Sequence, residues 1–249
     1  MKHLTIISLL LSIATFSILA SGQTVRPKTS QQSVGKQSQE VDEFIKRFGV
    51  QEHRNLLDGA LWTLTHDYSE FKQMEEVLKT FQSYFEALSK YEQGDSSSIE
   101  KIGGIKAFKN KLAEWLKDDD QSIRAFAAVV LGISGDKSFA PQLAELLKER
   151  KIKENDIRYD RGRAAMALGL VGAKEYTSSL AKLLKSSDEY DRVGAAYGLG
   201  FLKARKQSKA VAILLNDEEE SVREAAKESL TMMKATNLVK EKKAEKPDK

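Results

Sequence analysis

Alanine, leucine and glycine recur at fixed distances through the second half of the chain. Four copies of one pattern read Arg124-x-x-Ala127-Ala128-x-x-Leu131-Gly132, Arg161-x-x-Ala164-Ala165-x-x-Leu168-Gly169, Arg192-x-x-Ala195-Ala196-x-x-Leu199-Gly200 and, in worn form, Arg223-x-x-Ala226-Lys227-x-x-Leu230-Thr231. A second pattern precedes each one: Leu112 to Leu116, Leu143 to Leu147, Leu180 to Leu184 and Val211 to Leu215. The copies are spaced by 31, 37 and 31 residues at the leucine pattern and by 37, 31 and 31 at the arginine pattern. The six extra residues therefore fall between Lys148 and Asp160, where Glu149 to Asp156 departs from the repeat and is expected to project from one edge. Elsewhere the last leucine stands eight residues before the arginine, which leaves room for a tight turn between two helices. Units of this length cannot bury a core singly and stack on one another. The pattern predicts an all-α fold, an alpha-solenoid of about four helical hairpins.

Ahead of the repeats the apolar positions keep helical spacing without repeating. Phe71, Met74, Val77, Leu78, Phe81, Phe85 and Leu88 predict a helix from Ser69 to about Tyr91; Leu56, Leu57, Ala60, Leu61 and Leu64 predict another, and Val41, Phe44, Ile45 and Phe48 a short first one. Residues 40–95 are read as an N-terminal helical cap over the open end of a solenoid at 96–234. Ser97 with Glu100 suggests a capping box, and Gly103-Gly104 a break before the first leucine pattern. Residues 23–39, rich in glutamine, serine and threonine, are expected to be a disordered linker, and the charged tail 235–249 likewise.

The residues before the linker change the picture of where the chain acts. Lys2 and His3 precede an uncharged run from Leu4 to Ala20, and Ala20-Ser21-Gly22 offers small residues for cleavage before Gln23. Residues 1–22 are therefore expected to be a signal peptide, and the protein to be exported, periplasmic or secreted, with no transmembrane segment in the mature chain. With 40 basic against 36 acidic side chains the charge is a weak +4, and 41% hydrophobic residues suffice for a core. The chain has no cysteine, which excludes disulfides, thiolate nucleophiles and cysteine metal ligands.

Most repeat positions read as fold-specifying. Alanines three and four residues after the arginine let neighbouring helices approach closely, and the leucine at seven plugs the space between units. The glycine after it, with Gly135 and Gly172, suits a helix end at positive φ, and Pro141 suits a first helical turn. The arginines are expected to form structural ion pairs with acidic groups of their own or the adjacent turn, with Asp120, Asp160, Asp191 and Glu220 nearby.

The run Leu215-Asn216-Asp217-Glu218-Glu219-Glu220-Ser221-Val222-Arg223 with Ala226 and Leu230, and Ala195-Ala196-x-x-Leu199-Gly200 in the third copy, resembles the short HEAT-like repeat named for phycobilisome bilin lyases. The resemblance spans roughly Lys109 to Lys234. It implies that the first helix of each hairpin lines a convex side and the second a concave side. It transfers fold rather than reaction, because repeats of this kind serve many roles.

On the second helices, positions two, five and nine after the arginine lie opposite the packed face. They hold Phe126, Val129 and Ile133, then Arg163, Met166 and Leu170, then Tyr197 and Phe201, then Glu228 and Met232. Such a stripe is in part buried between units and in part an apolar groove edged by charge, suited to a protein or peptide partner, with Tyr197 and Phe201 as central anchors. Catalytic signals are weak: His53 and His66 follow the signal, 13 residues apart, and no zinc, phosphate-loop, dinucleotide or Gly-x-Ser-x-Gly motif is present. The expectation is a non-catalytic scaffold or adaptor without a cofactor or metal. An enzyme or enzyme-accessory, lyase-like role is the alternative, and polyanion binding comes third, since nucleic acid is not the expected partner of an exported protein with a mainly apolar groove.

Overall fold

A computed structural model describes residues 35–66, 71–95, 97–148 and 159–239. The expected signal peptide, residues 23–34 of the expected linker, the projecting insertion and residues 240–249 of the tail lie outside them. Two compact units divide between Glu114 and Trp115.

The N-terminal unit is built from α1 (Gly35–Gly49), α2 (Gln51–His66), α3 (Phe71–Glu92), the single turn α4 (Ser98–Lys101) and α5 (Gly104–Trp115), whose final residue opens the second unit. Helix α1 begins inside the stretch expected to be a linker, so residues 35–39 are helical. Phe44, Leu57, Phe81, Phe85, Leu88, Phe108 and Leu112, spaced three or four apart along their helices, are fully buried. Their rings pack against one another, Phe44 on Phe48 at 4.6 Å, Phe81 on Phe85 at 4.4 Å and Tyr84 on Phe108 at 4.2 Å. Ser97 does not close a capping box. Its backbone is already helical, and its hydroxyl donates to Asp95 Oδ1 at 2.6 Å instead of accepting from the helix. Gly103 and Gly104 make the expected break, both at positive φ (85° and 80°).

The second unit holds the repeats. Second helices α6 (Gln121–Ser134), α8 (Tyr159–Leu170), α10 (Glu189–Phe201) and α12 (Glu220–Met232) stack in order, each on the next. The short first helices α7 (Ala140–Glu145), α9 (Thr177–Leu183) and α11 (Ser208–Ile213) lie against α8, α10 and α12. Each first helix opens with a 3₁₀ turn. The result is two layers of helices, a helical solenoid. Pro141 occupies the first turn of α7, where it gives up no intrahelical bond.

The second helices of the last three copies end alike. The Ala173 N–H donates to the Leu168 carbonyl while Gly172 donates to Gly169, and the same pair of bonds recurs from Ala204 and Lys203 and from Ala235 and Lys234. This is the Schellman arrangement, which puts the residue after the helix in the left-handed region. Gly135 and Gly172 fill it at φ 72° and 73°; Lys203 and Lys234 fill it in the third and fourth copies at 50° and 57°.

The glycine just after the leucine has a different role from the expected cap. Gly132, Gly169 and Gly200 lie inside their helices, against the residue six after the arginine of the following copy: Ala167, Gly198 and Ser229. A β-carbon on Gly169 would stand 2.5 Å from the Gly198 carbonyl oxygen, so no side chain fits there. The closest approach of successive helices thus runs through glycine more than through the alanines, which are themselves fully buried.

Candidate partner-binding face

Three of the four repeat arginines bridge one copy to the next. Arg124 Nε donates to Asp160 Oδ2 at 2.7 Å, Arg161 Nε to both carboxylate oxygens of Asp191 at 2.8 and 2.7 Å, and Arg192 to Asp217 through Nε at 2.9 Å and Nη2 at 2.8 Å. The same guanidinium also ties down its own turn, Arg124 Nη1 donating to the Asp118 and Asp119 carbonyls and Arg192 Nη1 to those of Ser186 and Ser187. Arg223 makes the turn bonds, to Asp217 and Glu218. Two of the acids expected from sequence are replaced in this role. Asp120 instead caps α6, accepting from the Ser122 and Ile123 N–H groups, and the fourth copy uses Asp217 rather than Glu220. Burial works against the Asp217 charge, but the Arg192 hydrogen bonds and the Glu219 N–H hold its carboxyl below the usual carboxylate range.

The glycine contacts fix which way each second helix faces. Positions one and eight after the arginine meet the following helix, and positions two and six the preceding one. At about 100° per residue the leucine at seven then points to the first-helix layer, while positions five, nine and two before the arginine point to the opposite, open side, and position two stands at its border with the preceding helix. In the first copy this stripe is not accessible. Phe126, Val129 and Ile133 are fully buried, as is nearly all of α6, and Met166 is buried in the second copy, so these four serve as packing. The part-exposed remainder is Arg163, Leu170, Tyr197, Phe201 and Met232, with Glu228 exposed.

Two residues that sequence reasoning missed join this face. Tyr159 and Tyr190, two before the arginine, stack edge to face at 4.6 Å between ring centroids. They occupy the same side of the helical wheel as position five, and extending the count backward past the arginine would have found them. Tyr197 packs beside Phe201 at 6.3 Å, and its hydroxyl donates to Glu228 of the fourth copy at 3.0 Å. Burial, reinforced by the negative charge of Glu228, pushes the Tyr197 phenol up to about 12. Arg163 sits among Tyr159, Tyr190 and Tyr197, and burial lowers its pKa from the ordinary arginine value, opposed by those rings.

The first-helix side offers an open groove of about 460 Å³ between α7 and α9, walled by Pro141, Ala144, Leu147, Tyr176 and Leu183. Arg161 reaches its edge but is held by Asp191. Among the described residues no set of three or more His, Cys, Asp or Glu side chains could hold a metal ion, and no described helix is long and apolar enough to cross a membrane. His53 Nδ1 pairs with the Arg47 carbonyl at 2.6 Å within the N-terminal unit.

With two layers of stacked hairpins, an inter-copy arginine ladder and an open aromatic face in view, the class is a helical repeat solenoid. Residues 152–231 match the family model for HEAT repeats, which takes in α8 to α12. Over that stretch the chain is similar to HEAT repeats, which commonly mediate protein–protein interaction. No curated protein matches the chain.

Proposed function

We propose that this protein is an exported, non-catalytic scaffold that receives a protein or peptide partner on the open side of its second-helix layer, the side that the HEAT resemblance makes concave. The observation that carries this reading is the group Arg163, Tyr190, Tyr197 and Phe201. These large side chains remain part-exposed on a layer whose other sides are taken up by packing. Aromatic and arginine side chains of this kind dominate interface energies. The short, phycobilisome-lyase-like form of the repeat is supported by the run from Leu215 to Arg223 and by copies 31 residues long, and it bears on fold rather than on reaction. Export is supported by the uncharged run Leu4 to Ala20 and the small residues after it.

Crosslinking in the native cells tests the face. The wild-type chain should give a discrete protein adduct that Tyr197→Ala with Phe201→Ala abolishes while circular dichroism still shows the helical fold. Equal adduct from both chains would overturn the reading. N-terminal sequencing of the chain recovered outside the cytoplasm should begin at Gln23.

A further inference from the structure

We propose that Arg163 is the anchor for a carboxylate side chain of the partner, so that the segment received on the open face is an apolar peptide carrying one acidic residue. This inference rests on the reading of that face as the docking surface and names the chemistry of its occupant.

Arg163 differs from every repeat arginine. Arg124, Arg161 and Arg192 each hold an aspartate, and Arg223 holds two turn carbonyls, whereas no hydrogen bond or ion pair joins Arg163 to any described residue. Its side chain is part-exposed, close to Tyr159, Tyr190 and Tyr197, and burial already acts against its charge. A permanent charge with five N–H donors and no acceptor from the fold is open to one that arrives with a partner.

The neighbouring copy provides the room. The position equivalent to Arg163 is Gly194, which packs by its backbone on Gly162 and puts no side chain over the guanidinium. Glu228 on this face accepts from the Tyr197 hydroxyl, and no ion pair joins it to Arg163. A planar guanidinium takes a carboxylate through two parallel hydrogen bonds.

Charge selects the class of occupant. Around Tyr197 on this face the charged groups are one cation, Arg163, and two carboxylates, Glu228 and Glu224, the latter paired with Lys227. A polyphosphate backbone would meet these carboxylates as repulsive groups, while a single carboxylate on an apolar segment meets Arg163 and leaves them to solvent.

Random twelve-residue peptides displayed on phage, selected on the full chain and then synthesised and titrated, test this. The enriched peptides should share one Asp or Glu together with a large apolar residue. Replacing that Glu by Gln should weaken binding to the wild-type chain roughly tenfold to a hundredfold, the range expected for losing a charged hydrogen-bonded pair. The same peptide change should have less than about a twofold effect on Arg163→Gln, because the interaction is already lost. Should Arg163→Gln fail to fold, the peptide substitution on the wild-type chain alone decides. Peptides that lose binding to Tyr197→Ala with Phe201→Ala yet ignore the Glu→Gln change would overturn this inference and leave the docking reading standing. Peptides indifferent to every open-face substitution, or no enrichment at all, would count against both. A single-stranded oligonucleotide retained by the wild type and lost by Arg163→Gln would assign the site to phosphate and overturn the carboxylate.

Discussion

Gly194 and Gly162 meet backbone to backbone: a β-carbon on Gly194 would stand 2.0 Å from the Gly162 carbonyl oxygen and 2.5 Å from its carbonyl carbon. The atoms in the way are main chain, so a side chain could be accommodated only by moving α8 and α10 apart, and those helices carry the densest contact in the second unit. Overpacking a rigid interface costs about 1–3 kcal/mol, and backbone collisions lie at the upper end. Gly194→Ala should thus lose about 3 kcal/mol or more in urea unfolding. Gly172→Ala is the control, since its φ of 73° strains an alanine but nothing lies within 4 Å, and it should cost about 1 kcal/mol. Equal losses would show that close approach is not what the buried glycine provides.

The arginine ladder couples the copies. Asp191 is fully buried and holds Arg161 of the preceding copy, so Asp191→Ala leaves a buried cation without its partner and should cost about 3–5 kcal/mol. Replacing both members by apolar residues, Arg161→Met with Asp191→Leu, should recover most of that loss, because the penalty belongs to the unpaired charge. Chemical denaturation of the three variants decides the point, and a double variant as unstable as the single one would refute it.

Acid should act on the same ladder one copy further along. The carboxyl of Asp217 titrates lower in the folded chain than in the unfolded one, so its contribution to stability is present above about pH 4 and is lost as the pH falls through the lower folded value. Urea midpoints followed downward from pH 5 should therefore fall more steeply for the wild type than for Asp217→Asn. Parallel curves would mean that Asp217 does not gain from its arginine.

Lys203 and Lys234 occupy left-handed backbone that glycine fills in the first two copies. A side chain there costs about 1–2 kcal/mol, part of which a glycine returns through the greater freedom of the unfolded chain. Lys203→Gly should accordingly stabilise by up to about 1 kcal/mol, read as a rise in thermal midpoint. A fall would indicate that the lysine side chain makes a compensating contact.

These lysines mark where reading the sequence stopped. The hairpins, the break at Gly103 and Gly104, the proline at α7 and the left-handed Gly135 and Gly172 were legible because each leaves a local signature. A lysine forced to positive φ leaves none, since its conformation is imposed by the Schellman bonds of its helix end. Gly132, Gly169 and Gly200 were open to the wrong reading for a related reason. A glycine near a helix end serves equally as a cap or as a close contact, and only the neighbouring helix decides. The open face was half legible. Helical spacing gave Tyr197 and Phe201 their side of the wheel, but nothing local distinguishes Phe126, fully buried, from Phe201, part-exposed, at nearly the same angle. Asp217 escaped as a ladder partner because it lies six residues before its arginine, where Asp160 and Asp191 lie one before theirs.

The link between Tyr197 and Glu228 should be visible in alkaline titration. Burial first, and the carboxylate of Glu228 second, raise the phenol of Tyr197 to about 12 from an ordinary value near 10. A neutral acid with a raised folded pKa stabilises the fold fully below the unfolded value, and that contribution disappears as the pH climbs from about 10 through 12. Absorbance at the phenolate band should therefore include one tyrosine titrating near 12 that is missing from Tyr197→Phe. Glu228→Gln should shift it only part of the way toward 10, because the larger cause, burial, is untouched. A Tyr197 that ionises with the exposed tyrosines in the folded wild type would mean that its hydroxyl is already in water, and the face it anchors would then lack the partial burial on which the carboxylate site at Arg163 depends.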